Sequence, residues 1–147
     1  MAVTLLSGDI VFQDGTAEGI ISVRNGIIEY VDLGTRIKTS QENVIHGTIF
    51  PGFINIHTHL GDHGARGDLP PSLRDSVFPG GVKHRFLERA SGEEMMKSIR
   101  SSIHEVAPGV TQIIDFREGG IKGVELLGRA WDEGMPAVHV MGRPLEG

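Results

Sequence analysis

Residues 50–59 read Phe50-Pro51-Gly52-Phe53-Ile54-Asn55-Ile56-His57-Thr58-His59, and the fold turns on how this stretch is read. Gly47–His59 is apolar around a Pro51-Gly52 turn signal, the pattern of a buried strand entered through a turn. Successive strand side chains alternate faces, so Phe53, Asn55, His57 and His59 are expected on one face. Ile54, Ile56 and Thr58 then point the other way, toward covering helices. Two imidazoles two residues apart on one face can reach a single ion at Zn–N distances of about 2.0–2.1 Å. A bare His-x-His does not define a site, so the surroundings decide.

Downstream, residues 60–90 hold repeated Pro and Gly-Gly punctuation and no sustained period, which reads as a long loop of the lid or binding type. Ser91-Gly92-Glu93-Glu94 fits a capping box. Met95, Ile99, Ile103 and Val106 follow at helical spacing until Pro108-Gly109. Val110–Phe116 is a second apolar strand. Ile121–Glu133 is a second helix with Val124, Leu127 and Trp131 on one face and Gly134 as its stop. Pro136–Met141 is a third strand. The order β-loop-α-β-α-β predicts parallel strands joined by right-handed crossovers.

Upstream, Val3–Phe12, Gly19–Arg24 and Ile27–Leu33 read as a β meander. Asn25-Gly26 supplies the positive φ angles that a type I′ hairpin turn needs. Residues 34–48 are polar and turn-rich, a connection. The chain therefore divides into a small antiparallel β unit at 1–48 and the opening of an α/β layer at 49–147. The fold class is α/β: a β-sandwich-type unit followed by the first β/α units of an incomplete TIM-like (β/α)8 barrel, with three strands and two helices. A closed barrel takes eight strands and roughly 250 residues; this sequence has 147.

Composition narrows the chemistry. With 39% hydrophobic and 22% charged residues the chain reads as globular, and a net charge of -5 argues against a general nucleic-acid binder. The absence of cysteine removes thiolate metal sites, leaving histidine and carboxylate as ligand types. No secretory leader is legible at the N-terminus, and no run reaches the ~18 apolar residues of a membrane span. A cytoplasmic protein with no membrane and no nucleic-acid partner is the expectation.

The stretch Pro51-Gly52-Phe53-Ile54-Asn55-Ile56-His57-Thr58-His59 resembles the first-strand signature of the amidohydrolase superfamily, Pro-Gly-x-[Ile/Val]-[Asp/Asn]-x-His-x-His. The likeness extends over the whole chain, because members of that family begin with a small β-sandwich built from both termini. It implies a metal-dependent hydrolase acting on carbon–nitrogen bonds other than peptide bonds, with His57 and His59 as two metal ligands and a small-molecule substrate. Asn55, where many cyclic-amide hydrolases carry Asp, leans the resemblance toward the deaminase and chlorohydrolase-like branch. The ion would be Zn²⁺, with Fe²⁺ or Mn²⁺ compatible, activating a water for attack on a polarised C=O or C=N carbon. In the family the remaining ligands and the catalytic groups come from later strands, expected beyond Gly147. The expected partners are thus that C-terminal part of the barrel or an oligomeric partner.

Four residues are candidates for the substrate pocket: Asp62 and His63 in the loop, and Asp115 and Arg117 at the end of the second strand. His57-Thr58-His59-Leu60-Gly61-Asp62-His63 also approaches the His-x-His-x-Asp-His pattern of metallo-β-lactamase-like hydrolases, but Asp62 and His63 fall one position late. A further alternative is a catalytically incomplete protein that binds metal or a partner through its open sheet. Lys83, His84 and Arg85 read as a solvated basic cluster, His46 and His104 as surface residues, and His139 as core or pocket.

Overall fold

The structure is a computed structural model that describes residues 3–38, 40–67 and 72–144. It divides into two compact units, Met1–Pro51 and Gly52–Gly147.

The first unit is a four-stranded sheet in the order β3-β2-β1-β4, built from β1 (Val3–Phe12), β2 (Gly15–Arg24), β3 (Ile27–Leu33) and β4 (Val44–Ile49). β1 and β2 pair antiparallel through the two-residue turn Gln13-Asp14. β2 and β3 pair antiparallel through Asn25 and Gly26, whose φ angles of 53° and 77° are those the Asn-Gly signal called for. The fourth strand corrects the sequence reading. Residues 44–48 are not connection but the body of β4, which runs parallel to β1 from Leu5↔Val44 to Ile10↔Ile49. The apolar stretch 47–59 is therefore two strands separated at Phe50-Pro51-Gly52, since proline cannot donate to a ladder.

The close approach of β4 depends on Gly8. A Cβ added there would sit 1.7 Å from the Gly47 carbonyl oxygen, a backbone atom with no freedom to retreat. Gly8→Ala should therefore lower stability by about 1–3 kcal/mol, the usual cost of overpacking. Urea melts check this, and an unchanged midpoint would show that β4 does not need this contact.

The second unit is a three-stranded parallel sheet, β5 (Phe53–Thr58), β6 (Val110–Arg117) and β7 (Ala137–Gly142), in sequence order. The segment read as one long loop contains structure. A 3-10 helix spans Leu60–Ala65, followed by α1 (Leu73–Val77) and α2 (Val82–Arg89). Short elements of five to eight residues give too few turns for a hydrophobic period to show. α3 (Gly92–Val106) starts at the expected capping box, with Glu94 N donating to Ser91 Oγ at 3.2 Å and Ser91 N to the Glu94 carboxylate at 2.8 Å.

α4 (Gly120–Ala130) is shorter than the sequence suggests. Trp131 is already extended (ψ 138°), its indole N–H donating to Pro136 O at 2.9 Å, so it lies past the helix rather than on its apolar face. The buried face of α4 is Gly123, Leu127 and Ala130, while Val124 is exposed. The core of the unit joins Leu60, Ile99, Ile103, Ile113, Leu127 and Ala130, with Met95, Met96 and Val138 packed against it.

This core lies on one side of β6. Ile113, Asp115 and Arg117 are buried, whereas Gln112 and Phe116, on the alternate positions, are exposed. β5 is an edge strand whose Asn55 and Thr58 are half-buried opposite Ile113 and Asp115, while Ile54 and Ile56 are 53% and 70% exposed, so among the described residues no helix covers these two side chains, which were expected against helices. No helix among the described residues is long and apolar enough to cross a membrane.

Candidate metal centre

His57 is the fifth residue of β5, and His59 follows its end. The strand does not alternate cleanly before them. Asn55 pairs with Ile113 and Thr58 with Asp115, so three steps on β5 oppose two on β6. One extra residue of this kind is a bulge, a device that re-aims a side chain. Here it releases the His57 amide from the ladder, and the Asn55 side-chain oxygen accepts from that amide at 3.3 Å. Asn55 thus holds the backbone that presents His57.

The two rings converge. His57 Nε2 and His59 Nε2 are 3.3 Å apart, and the His57 ring lies 4.6 Å, centroid to centroid, from Phe116 of β6. Two nitrogens bound to one tetrahedral zinc at about 2.05 Å would be separated by about 3.3–3.4 Å. That spacing suits two ligands of one ion, and equally an N–H···N hydrogen bond between the two rings. Among the described residues no group of three or more His, Asp or Glu side chains forms around a common point. His57 and His59 could therefore hold an ion as two ligands of a larger set, at the C-terminal end of a parallel strand.

Behind His59 lies a charge network that the sequence reading did not anticipate. Glu118, the residue after β6, places Oε1 3.2 Å from His59 Nδ1. The approach is off the line of a good hydrogen bond, and the buried Nδ1 has no aligned partner among the described residues. Lys83 of α2 binds Glu118 Oε1 at 2.7 Å and Asp62 Oδ2 at 2.8 Å. The expected solvated cluster at 83–85 is corrected here: Lys83 is only 14% exposed, clamped between two carboxylates. Burial pushes Glu118 upward, but the hydrogen bond and charge of Lys83 outweigh it and hold the carboxyl below its ordinary value. For Lys83 burial favours the neutral amine, and the two carboxylates outweigh it to keep the ammonium. Asp62 is pushed up by burial despite Lys83, and its Oδ1 is buried without a partner.

The other candidates are placed as follows. Asp115 is fully buried on the helix-covered side of β6, accepting from the Leu60 amide at 2.7 Å and from Thr58 Oγ1 at 3.2 Å. It ties the segment that leaves the histidines to the end of β6. Arg117 is 2% exposed, 3.3 Å from Glu118 Oε2 and 3.7 Å from Asp115 Oδ2. Its guanidinium lies against Gly61, where an added Cβ would come within 2.3 Å of it. His63 turns to Glu105 of α3 at 3.7 Å, beside an ion pair between Arg66 and Glu105. It does not join His57 and His59 in a group of ligands. His46 and His104 are exposed, and His139 Nε2 is 3.0 Å from Gln112 Oε1 on the open side of the sheet. The signal that could have found Glu118 is its position: the reading that selected Asp115 and Arg117 at the end of β6 stopped one residue short.

Burial raises the Asp115 carboxyl above its ordinary 3.8, outweighing the Leu60 amide, the Arg117 charge and the Thr58 hydroxyl, which all lower it. The folded carboxyl keeps its proton to higher pH than the unfolded one. Its contribution is therefore fullest below 3.8 and declines as pH rises through the raised folded value. The stability of Asp115→Asn relative to the parent should accordingly shift in favour of the variant from about pH 3 to about pH 7. Urea midpoints across that range would show a flat difference if Asp115 titrates normally.

No model of a known protein family matches the chain. Relatives do. A protein of Methanothermobacter thermautotrophicus named provisionally as an aminohydrolase is 36% identical over 126 residues, covering 83% of this chain and 30% of the relative. The chain belongs to the amidohydrolase superfamily. It spans about a third of the length of the curated relatives it matches, 34%, 30% and 38% for three archaeal proteins. Among solved structures, N-isopropylammelide isopropylaminohydrolase from Burkholderia multivorans superposes on this amidohydrolase chain with a TM-score of 0.66 at 13% identity. That match covers 98% of this chain and 38% of the other. Guanine deaminase from C. acetobutylicum gives a TM-score of 0.61 at 19% identity, covering 95% and 36%. At these identities the structural likeness speaks for the fold.

Proposed function

We propose that this amidohydrolase chain carries the first two ligands, His57 and His59, of a divalent-metal site in a hydrolase that cleaves non-peptide C–N bonds. The observation that carries this reading is the 3.3 Å separation of the two Nε2 atoms at the C-terminal end of a parallel strand. In (β/α)8 barrels that end of the sheet holds the catalytic groups. The ion would be Zn²⁺, with Fe²⁺ or Mn²⁺ as alternatives, and when bound it would supply Lewis acidity and an activated water.

The residues of this chain have definable work in such a site. His57 and His59 fix the metal position. Asn55 holds the bulge that aims His57. Asp115 anchors Leu60 and Thr58, so the segment on either side of His59 cannot drift. Asp62, with one buried oxygen unpartnered, is a candidate substrate-facing acceptor.

A catalytic zinc usually takes three protein ligands. The further ligands and the catalytic groups are proposed to come from barrel strands outside these 147 residues, in a continuing segment or a partner chain. Among the described residues β5 pairs only with β6, and its open edge supports completion of the sheet by such strands. The first unit would be part of a composite β-sandwich. The names of the relatives and structural neighbours point to exocyclic amine release from a small heterocycle as the reaction to test first.

The experiment is ammonia release from a panel of amino-substituted heterocycles and cyclic amides, by the protein in its complete assembly and loaded with Zn²⁺. Turnover that disappears in His57→Ala supports the reading. Turnover unaffected by that change would overturn it.

A further inference from the structure

We propose that Glu118, held in place by Lys83, is the positioning residue that fixes the tautomer of His59, so that its Nε2 lone pair faces the metal position. This rests on the reading of His57 and His59 as ligands. It also makes a statement about the metal-free protein that can be tested by itself.

A neutral imidazole carries one proton, and the nitrogen that holds it cannot bind a metal. Which nitrogen holds it is set by what the other atoms face. His59 Nδ1 is buried and lies 3.2 Å from a carboxylate oxygen that only accepts. A proton on Nδ1 satisfies both groups after a small ring rotation toward that oxygen. A proton on Nε2 would instead leave a buried lone pair facing a negative charge. Burying such an unmatched acceptor is unfavourable enough to set the tautomer at better than about 5:1.

The pair geometry agrees. With Nδ1 of His59 protonated, its Nε2 is free to accept from Nε2–H of His57 across 3.3 Å. The same lone pair turns to an ion when one enters, and only His57 has to exchange its tautomer.

Glu118 would be a poor director if it could swing away. Lys83 prevents this, because an ammonium donates only and binds the same Oε1 that faces His59, at 2.7 Å. Asp62 pins Lys83 from the other side at 2.8 Å. Arg117, buried against Gly61, holds Oε2 at 3.3 Å. The carboxylate is thus fixed from α2 and from β6, two elements unrelated in sequence to the strand that carries the histidines. Carboxylates behind metal-binding histidines commonly act in this way, and their loss weakens metal binding by about 10–100-fold.

The test is the nitrogen-15 imidazole spectrum of the metal-free protein at about pH 8, where histidine is neutral, with zinc titrations run in parallel. Wild-type protein should show His59 protonated at Nδ1. Glu118→Ala should move the proton wholly or partly to Nε2 and weaken zinc binding by about 10–100-fold. Glu118→Gln keeps an acceptor at Oε1, since Lys83 selects the oxygen end of the amide, and should retain the Nδ1–H form. Lys83→Met should give an intermediate mixture, which keeps the test open if Glu118→Ala fails to fold. A wild-type His59 protonated at Nε2 overturns the proposal, as does an unchanged tautomer in folded Glu118→Ala. Failure of the wild-type protein to bind zinc in its complete assembly overturns the metal reading instead, and the tautomer spectra still decide this one.

Discussion

His57→Ala should reduce divalent-metal affinity by about two orders of magnitude, and His59→Ala by at least as much. Zinc sites with four protein ligands release about 10–16 kcal/mol on binding, so one ligand carries about 3 kcal/mol, on the order of 100-fold in affinity. His57 and His59 differ in what stands behind them. His57 is exposed and packs at a 38° tilt against Phe116, so its removal should leave the fold unchanged. His59 sits against Glu118 and the Lys83 network, so its removal also disturbs a half-buried carboxylate. Competition titrations with a chromophoric chelator read both affinities, and thermal melts separate loss of ligand from loss of fold. Equal affinity in His57→Ala and the parent would mean that the convergent nitrogens are not ligands.

The second large effect is on stability. Asp115→Ala should cost about 3–5 kcal/mol, the range for removing one partner from a buried ionic group. The lost carboxylate takes with it the acceptor of the Leu60 amide at 2.7 Å, while the Thr58 hydroxyl keeps Ile114 O at 3.0 Å. The substitution also removes a counter-charge 3.7 Å from the 2%-exposed Arg117. Glu118 still neutralises Arg117, so the loss should fall short of unfolding the second unit outright. Urea denaturation at about pH 7 checks the value. A cost below about 1 kcal/mol would show that the Leu60 amide and Arg117 find other partners.

Much of this was legible in the sequence, for identifiable reasons. The hairpin at Asn25-Gly26, the capping box at Ser91 and Glu94, and the parallel order of β5, β6 and β7 follow from local chemistry and period. So does the placing of His57 and His59 at the end of a strand. β4 was not legible, because its register is set by Gly8 accepting a neighbouring backbone, a fact about packing and not about residues 44–49. The bulge between Asn55 and Thr58 was hidden for a similar reason: six residues alternate too briefly to reveal one inserted step. α1 and α2 lay in a stretch whose prolines and glycines mask short helices. Glu118 and Lys83 are 35 positions apart, and no period or motif joins them; only the fold brings both charges to His59.

The most direct test of the central claim is zinc K-edge absorption spectroscopy of the protein in its complete assembly, loaded with Zn²⁺. At least two imidazole nitrogens should appear at about 2.0–2.1 Å, with one fewer imidazole in His57→Ala. Zinc bound with no imidazole in its shell, or with the same shell in the variant, would contradict the account.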